Sequence, residues 1–270
     1  MKNILIYGHR GARGLAPENT IPGFKAGIAA GVDYVDMDVN ITKDNVVVVT
    51  HDAALNPNIT RDANGNWINV ENPPYIKDLT FAELQQYDVG RLKPGTNYAK
   101  YFPEQQPVDN THIPSLEQVI KYVKQASENK VKFQIEMKSN IAAAVVKIIN
   151  QENIADRTEL QSFDWQALQE VQQINPRIAT AYLTTQENHI DAAPNKIAAL
   201  GGKIWGPESK ELTAELVTKA HQLGLKVVPW SMPGALDNPK EIKRMLKIGV
   251  DGIITDRPDI VRNLLVTQGN

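Results

Sequence analysis

Short β-branched runs alternate with amphipathic stretches through almost the whole chain, and this alternation limits the possible folds more than any other feature. Residues 3–8 (NILIYG), 34–39 (YVDMDV), 46–50 (VVVVT), 132–137 (KFQIEM) and 159–163 (ELQSF) read as strands. So do 178–183, the short 203–206, 226–230 and 252–255. Helical spacing fills most of the gaps: Phe24 and Ile28 stand four apart within 22–30, and Leu116, Val119, Ile120 and Val123 share one face of 116–126. Residues 142–149, 165–171, 212–223 and 239–248 carry the same pattern. Ser115 and Thr213 suit helix entry, and Gly224 and Gly249 suit helix exit. Strands separated by helices of this length imply βαβ units and a parallel sheet. Eight or so units over 270 residues favour a closed α/β (β/α)8 TIM barrel over an open doubly wound sheet. Nine candidate strands are one too many, so either 203–206 or the pair around Asp38 and Val46 is irregular. The link 40–45 is too short to hold a helix.

One stretch breaks the rhythm. Residues 53–112 hold Pro57, Pro73, Pro74, Pro94, Pro103 and Pro107 together with Trp67, Tyr75, Tyr87, Tyr98, Tyr101 and Phe102. Only 80–87 looks helical there, with Thr80 as cap and Glu83 completing a capping box. Sixty residues exceed a passive loop. The chain thus reads as a single barrel domain, 1–270, with 53–112 inserted after the third strand. The insertion is either a surface elaboration packing its own aromatics or a wall over one end of the barrel.

Charge and cysteine content remove several classes of function. Lys+Arg 29 against Asp+Glu 31 leaves a formal net charge of -2, without the basic excess that nucleic acid or an anionic membrane surface selects. Zero cysteines exclude disulfides, thiolate metal sites and a cysteine nucleophile. The apolar run 4–7 is shorter than a signal h-region of about 7–15 residues, and no run approaches the roughly 18–20 that span a bilayer. The expectation is a soluble protein, cytoplasmic as written and periplasmic or secreted if an upstream leader was removed. Its oligomeric state is not legible.

The chemistry-bearing residues fall at strand ends. His9 and His51 each directly follow a strand, which in a barrel points both into the mouth where active sites lie. A histidine pair suits general acid and base work near neutrality. Asp36 and Asp38, two apart on one strand, face the same side, and two carboxylates on one buried face need protons or a cation. Hard oxygen ligands suit Ca²⁺ or Mg²⁺. Glu136 and Lys138 repeat the spacing on a later strand, as a simple ion pair or as a metal ligand beside a phosphate-neutralising cation. Together with Arg10 the set asks for an anionic substrate, a cation and two proton-moving imidazoles, which is phosphoryl chemistry. There is no Walker loop, and Gly8-His9-Arg10-Gly11 lacks dinucleotide spacing.

His9-Arg10-Gly11-Ala12 with Pro17-Glu18-Asn19-Thr20 resembles the opening motif of the glycerophosphodiester phosphodiesterases. Asp36-Met37-Asp38, His51-Asp52, Ile135-Glu136-Met137-Lys138, Gln161-Ser162-Phe163-Asp164 and the closing Gly249–Pro258 segment resemble further blocks of that family, in order from residue 8 to 258. The resemblance implies a TIM barrel with an insertion matching 53–112. It implies one divalent cation, Ca²⁺ or Mg²⁺, on Asp36, Asp38 and Glu136. His9 and His51 would be the acid/base pair, with Arg10 and Lys138 on the phosphate. The implied substrate is a small glycerophosphodiester, cleaved through a cyclic phosphate to sn-glycerol 3-phosphate and an alcohol. Two positions depart from the family pattern: Asp36 stands where Glu is usual, and Trp230-Ser231-Met232-Pro233 replaces Trp-Thr-Val-Asn. Trp230 is kept and can pack on the glycerol or alcohol moiety. The alternatives are a lysophospholipase D-type phosphodiesterase, which an apolar groove would favour, and a non-catalytic phosphate-ester binding protein.

Overall fold

The computed structural model describes residues 4–185 and 190–268. Its strands are β1 (Leu5–Gly8), β2 (Tyr34–Ile41), β3 (Val47–Val49), β4 (Lys132–Met137), β5 (Thr158–Ser162), β6 (Ala179–Thr184), β7 (Ile204–Pro207), β8 (Lys226–Val227) and β9 (Gly252–Thr255). The helices are α1 (Ile21–Ala29), α2 (Phe81–Leu84), α3 (Asn97–Tyr101), α4 (Leu116–Ala126), α5 (Ala142–Gln151) and α6 (Trp165–Ile174). They continue with α7 (Ala193–Ala199), α8 (Ala214–Gln222), α9 (Pro239–Ile248) and α10 (Pro258–Gln268). No helix among the described residues is long and apolar enough to cross a membrane.

Pairing runs β8-β7-β6-β5-β4-β2-β1-β9, every neighbour parallel. The seam between the two ends is bridged by Asp251 N–H to Val227 O at 2.8 Å and Ile254 N–H to Pro229 O at 3.2 Å, which nearly closes a (β/α)8 barrel. The surplus strand is β3. It folds back antiparallel on β2, with Asn40 opposite Val48, so the irregular pair is the one around Asp38 and Val46 while β7 is an ordinary stave. The segment 53–112 therefore follows the third strand in chain order but joins the second and third barrel staves.

Alternation along each strand sorts the side chains into two sets. Outward residues such as Ile6, Val35, Met37, Phe133, Ile135, Leu160, Trp205 and Ile253 pack with the helices in the largest core cluster. Inward residues build a second, smaller one from Tyr7, Tyr34, Ala181, Ile204, Val228 and Ile254. Tyr7 and Tyr34, register partners on β1 and β2, stack at 4.4 Å, and buried Glu159 accepts the Tyr7 hydroxyl at 3.1 Å. This filled layer is the floor on which the mouth rests. A third cluster, Val48, Leu55, Ile76, Leu84, Val89 and Ile113, gives the 53–112 segment a core of its own. The Thr80–Glu83 capping box is present on α2, and Ser115 caps α4 with a second box through Gln118. Gly249 ends α9 in the left-handed conformation.

The turn after β1 is held by close backbone packing. Gly11 has φ +91, and a Cβ there would sit 2.6 Å from the carbonyl carbon of Gly23 in α1. Gly11→Ala is expected to cost about 2 kcal/mol or more, combining left-handed strain with a backbone clash. Gly65→Ala, at φ +83 with nothing within 4 Å, should lose only the strain. Thermal unfolding followed by circular dichroism compares the two, and equal losses would remove the packing explanation.

Candidate active site

At the C-terminal ends of the staves the inward positions turn polar. His9 and Arg10 follow β1, Asp36 and Asp38 lie on β2, Glu136 ends β4, Lys138 follows it, and Asp256 follows β9. His51 arrives differently, just beyond the antiparallel β3, whose fold-back returns the chain to the mouth. A cavity of about 310 Å³ is lined by His9, Arg10, Asp36, His51, Glu136, Lys138 and Trp230, seven of the eight residues expected from sequence. Asp38 lies just behind the lining. It is ion-paired with Lys138 Nζ at 3.0 Å and Arg10 Nε at 3.3 Å, and its Oδ2 accepts Asn19 Nδ2 at 2.9 Å.

Both imidazoles are oriented by carboxylates. His9 Nδ1 lies 2.8 Å from Asp256 Oδ1, and His51 Nδ1 lies 2.7 Å from Asp52 Oδ1. A carboxylate only accepts, so each Nδ1 carries the hydrogen and each Nε2 is left for the cavity that both rings line. Arg13 Nη2, also 3.2 Å from His9 Nδ1, donates instead to Asp256 Oδ2 at the shorter 2.9 Å. Burial pushes His9 below its ordinary pKa, against the opposing pull of Asp256, so the ring is neutral near pH 7. Burial also disfavours charge on Asp256, but Arg13 and His9 outweigh it and hold the carboxyl far below its usual range. Arg13 grips Asp256 with Nε and Nη2, both at 2.9 Å.

The carboxylates of β2 and β4 divide in behaviour. Asp36 is pushed well above the usual range by burial, by Asp38 and by Glu136. Glu136 is raised as well, by burial and by Asp38. Asp38 goes the other way, because Lys138 and Arg10 outweigh its burial. Lys138 Nζ bridges the two strands, reaching Glu136 Oε1 at 2.5 Å as well as Asp38. Gln161 on β5 donates Nε2 to Asp36 Oδ1 at 2.7 Å, which leaves its buried Oε1 with no partner. Among the described residues no three acidic or imidazole groups are already gathered around one point as a metal cage.

The remaining cavity wall is apolar: Phe163, Leu183, Trp230, Met232, Pro233 and Ile254. Trp230 and Phe163 meet edge to face at 5.6 Å, and Trp230 Nε1 is buried without a partner. Of the seven aromatics in 53–112 only Tyr98 lines the cavity, with Asn56 beside it. Arg10 and Asn19 both sit at positive φ, 50° and 55°, a backbone cost of order 1 kcal/mol each that concentrates where side chains must be aimed.

Sequence reading did not single out Arg13, Glu18, Tyr98, Gln161 or Asp256 as site residues. Asp256 was findable, because it directly follows a strand just as His9 does. Tyr98 was not, because nothing local ties an insertion residue to a turn 80 positions away.

A barrel with paired imidazoles, two cationic side chains and clustered carboxylates at its C-terminal mouth is an enzyme of the phosphoester-hydrolysing class. Comparison with known proteins narrows the class. The model of the glycerophosphoryl diester phosphodiesterase family matches residues 9–260. A glycerophosphodiester phosphodiesterase of Bacillus altitudinis is 30% identical over 260 residues, covering 94% of this chain and 95% of the relative. One from Caldanaerobacter subterraneus subsp. tengcongensis is 28% identical over 271 residues, covering 98% and 99%. A crystal structure from Silicibacter pomeroyi DSS-3, described under the same phosphodiesterase name, superposes with a TM-score of 0.92 at 34% identity, covering 99% and 95%. The chain belongs to the glycerophosphoryl diester phosphodiesterase family, and as a member it is a phosphoric diester hydrolase.

Proposed function

We propose that this enzyme cleaves glycerophosphodiesters to sn-glycerol 3-phosphate and an alcohol, with His9 and His51 as the acid/base pair. The observation that carries the roles is the matched pair of Nδ1–carboxylate contacts, which turns both Nε2 atoms toward one cavity that also holds Arg10 and Lys138. Neutral His9 takes the proton of the glycerol hydroxyl next to the phosphate, and that oxygen attacks phosphorus. His51, entering the step as an imidazolium with hydrogens on both ring nitrogens, gives its Nε2 proton to the departing alcohol oxygen, leaving a five-membered cyclic phosphate and a neutral ring. Water then opens the ring with the roles reversed: His51 removes its proton and His9 protonates the glycerol oxygen. Arg10 holds the phosphate, and Trp230 with Phe163 packs against the organic part of the substrate.

Asp36, Asp38 and Glu136 are the residues that would hold a divalent cation. The fit rests on this chain's own chemistry: two raised, cavity-lining carboxyl groups, of which Asp36 has no ion-pair partner among the described contacts, beside an unpartnered amide oxygen form a hard-oxygen set. When bound, such a cation stabilises charge on the non-bridging phosphate oxygens. Lys138 now neutralises Asp38 and Glu136; once they are neutralised otherwise, its ammonium turns to the phosphate. The residues suit either Ca²⁺ or Mg²⁺. We read 1–270 as one catalytic domain with 53–112 as an insertion whose main contribution to the mouth is Tyr98.

The test is release of sn-glycerol 3-phosphate from glycerophosphocholine after chelation, and again with Ca²⁺ or Mg²⁺ restored. Release that disappears with chelator and returns with either ion is expected. Undiminished release in chelator would remove the cation from the reading. The apolar wall of Phe163, Leu183, Trp230 and Met232 favours a second substrate, a diester whose glycerol still bears an acyl chain. Faster turnover of a lysophospholipid than of glycerophosphocholine would make that the principal activity.

A further inference from the structure

The 53–112 segment reaches the mouth at Asn56 and, through one short helix, at Tyr98. α3 is capped by Thr96, whose hydroxyl accepts Ala99 N–H at 3.1 Å, and the chain around it is pinned to the turn after β1. Gln105 Nε2 donates to Arg13 O at 2.8 Å, and Gln106 N–H donates to Leu15 O at 2.9 Å. Buried Phe102 lies against the Arg13 guanidinium, 4.5 Å from ring centre to its central carbon. This anchoring sets Tyr98 between two groups that otherwise have no direct link. Its hydroxyl donates to Glu18 Oε2 and accepts from Arg13 Nη1 at 3.1 Å. Glu18 Oε1 in turn holds Arg10 Nη1 at 2.8 Å, and Arg13 holds Asp256, which orients His9. The result is one chain of contacts: Arg10, Glu18, Tyr98, Arg13, Asp256, His9. Burial and the Glu18 charge raise the Tyr98 pKa, so the phenol keeps its proton and can donate and accept at once.

We propose that Tyr98 is a positioning residue supplied by the insertion, its hydroxyl fixing the phosphate-holding Arg10 relative to the proton-moving His9. The proposal rests on the roles given to Arg10 and His9 above. A phosphate clamp and a general base are productive only at a set separation, and a misplacement of about 1 Å can cost roughly 10²-fold in rate. Arg10 is tied to Glu18 and Asp38, and His9 to Asp256 and Arg13; the two residues are neighbours along the backbone, but among the described side-chain hydrogen bonds only those of the Tyr98 hydroxyl join the two side-chain networks.

Tyr98→Phe keeps the ring and removes the joint. The expected result is a kcat lowered roughly 10- to 100-fold, a smaller change in KM, and a melting temperature within a few degrees of wild type. A cycle with Glu18→Gln separates positioning from a merely structural role. If Tyr98 acts through Glu18, the double variant loses little more than the worse single, whereas independent effects multiply. If Glu18→Gln does not fold, Arg13→Lys takes its place in the cycle. Wild-type kcat in Tyr98→Phe, or losses that multiply, would overturn the proposal. Should the wild-type protein release no sn-glycerol 3-phosphate, the reading of the reaction fails separately, and inorganic phosphate binding by calorimetry decides on Tyr98. Phosphate affinity weakened at least fivefold in Tyr98→Phe then supports the joint, and unchanged affinity overturns it.

Discussion

His51→Ala and His9→Ala are each expected to lower kcat roughly 10³-fold, within the range that a positioned general acid or base contributes. Both side chains line the cavity and are partly exposed, so their loss removes little packing. Thermal unfolding should therefore change little in either variant. The carboxylates left behind differ. Asp256 keeps its two-nitrogen grip from Arg13, whereas Asp52 loses its His51 partner but is 41% exposed and can turn to water. Steady-state release of sn-glycerol 3-phosphate, with unfolding curves on the same preparations, is the measurement. Near-wild-type turnover in one variant would remove that histidine from the acid/base pair and leave the other.

The second large effect is a coupling between divalent cation, stability and pH. Asp36 and Glu136 have folded-state pKa values raised above their unfolded ones, mainly by burial and then by neighbouring carboxylates. The folded protein therefore binds their protons more tightly than the unfolded chain does. Their contribution to stability is full below the unfolded pKa of about 4 and is lost as pH rises through the raised folded values. Asp38, Glu18 and Asp256 have depressed values, so theirs is present above the unfolded pKa and lost on acidification. Metal-free protein should thus lose the first contribution as pH rises above about 4 and through the raised folded values, and acid should remove the second. A cation that neutralises Asp36 and Glu136 then stabilises more at pH 8 than at pH 5. At a concentration about 100 times its Kd it adds roughly 2.7 kcal/mol, or about 5–10 °C in melting temperature for a chain of this size. Scanning calorimetry with chelator, Ca²⁺ or Mg²⁺ at both pH values checks this. Equal melting temperatures with and without either ion at pH 8 would exclude the carboxylates as its ligands.

The fold was legible because the period of the apolar residues switches between strand and helix at nearly every boundary. The surplus strand could not be assigned: Val46–Val49 satisfies a barrel stave and a hairpin arm equally, and only its antiparallel register on β2 decides. Among the helices, α7 (APNKIAA) offers only Ile197 as a large apolar anchor and carries little periodic signal. In α10, by contrast, Val261 and Leu265 stand four apart behind Pro258, a readable pattern that was nonetheless not among the expected helices. The five-residue α3 lies between Pro94 and Pro103 and is fixed by its contacts with the turn after β1 rather than by local preference. The site divides on similar lines. Residues at strand ends could be placed by the architecture itself. Of the groups that orient them, Asp256 stands at a strand end and was findable in the same way, whereas the Gln161 contact was not, because its hydrogen bond to Asp36 joins positions 125 apart.

The bond between His9 and Asp256 spans 247 positions, uniting the first barrel strand's exit with the last one's. In a growing or refolding polypeptide the histidine is therefore present long before the partner that orients it. With His9 as the proposed base, a phosphodiester meeting a half-folded chain would find Arg10 and His9 but no aligned imidazole. Turnover during refolding thus marks the docking of β9 against β1, and it should rise only with the final cooperative phase, after most helical signal has returned. The enzyme carries in its own catalysis a reporter for completion of the ring.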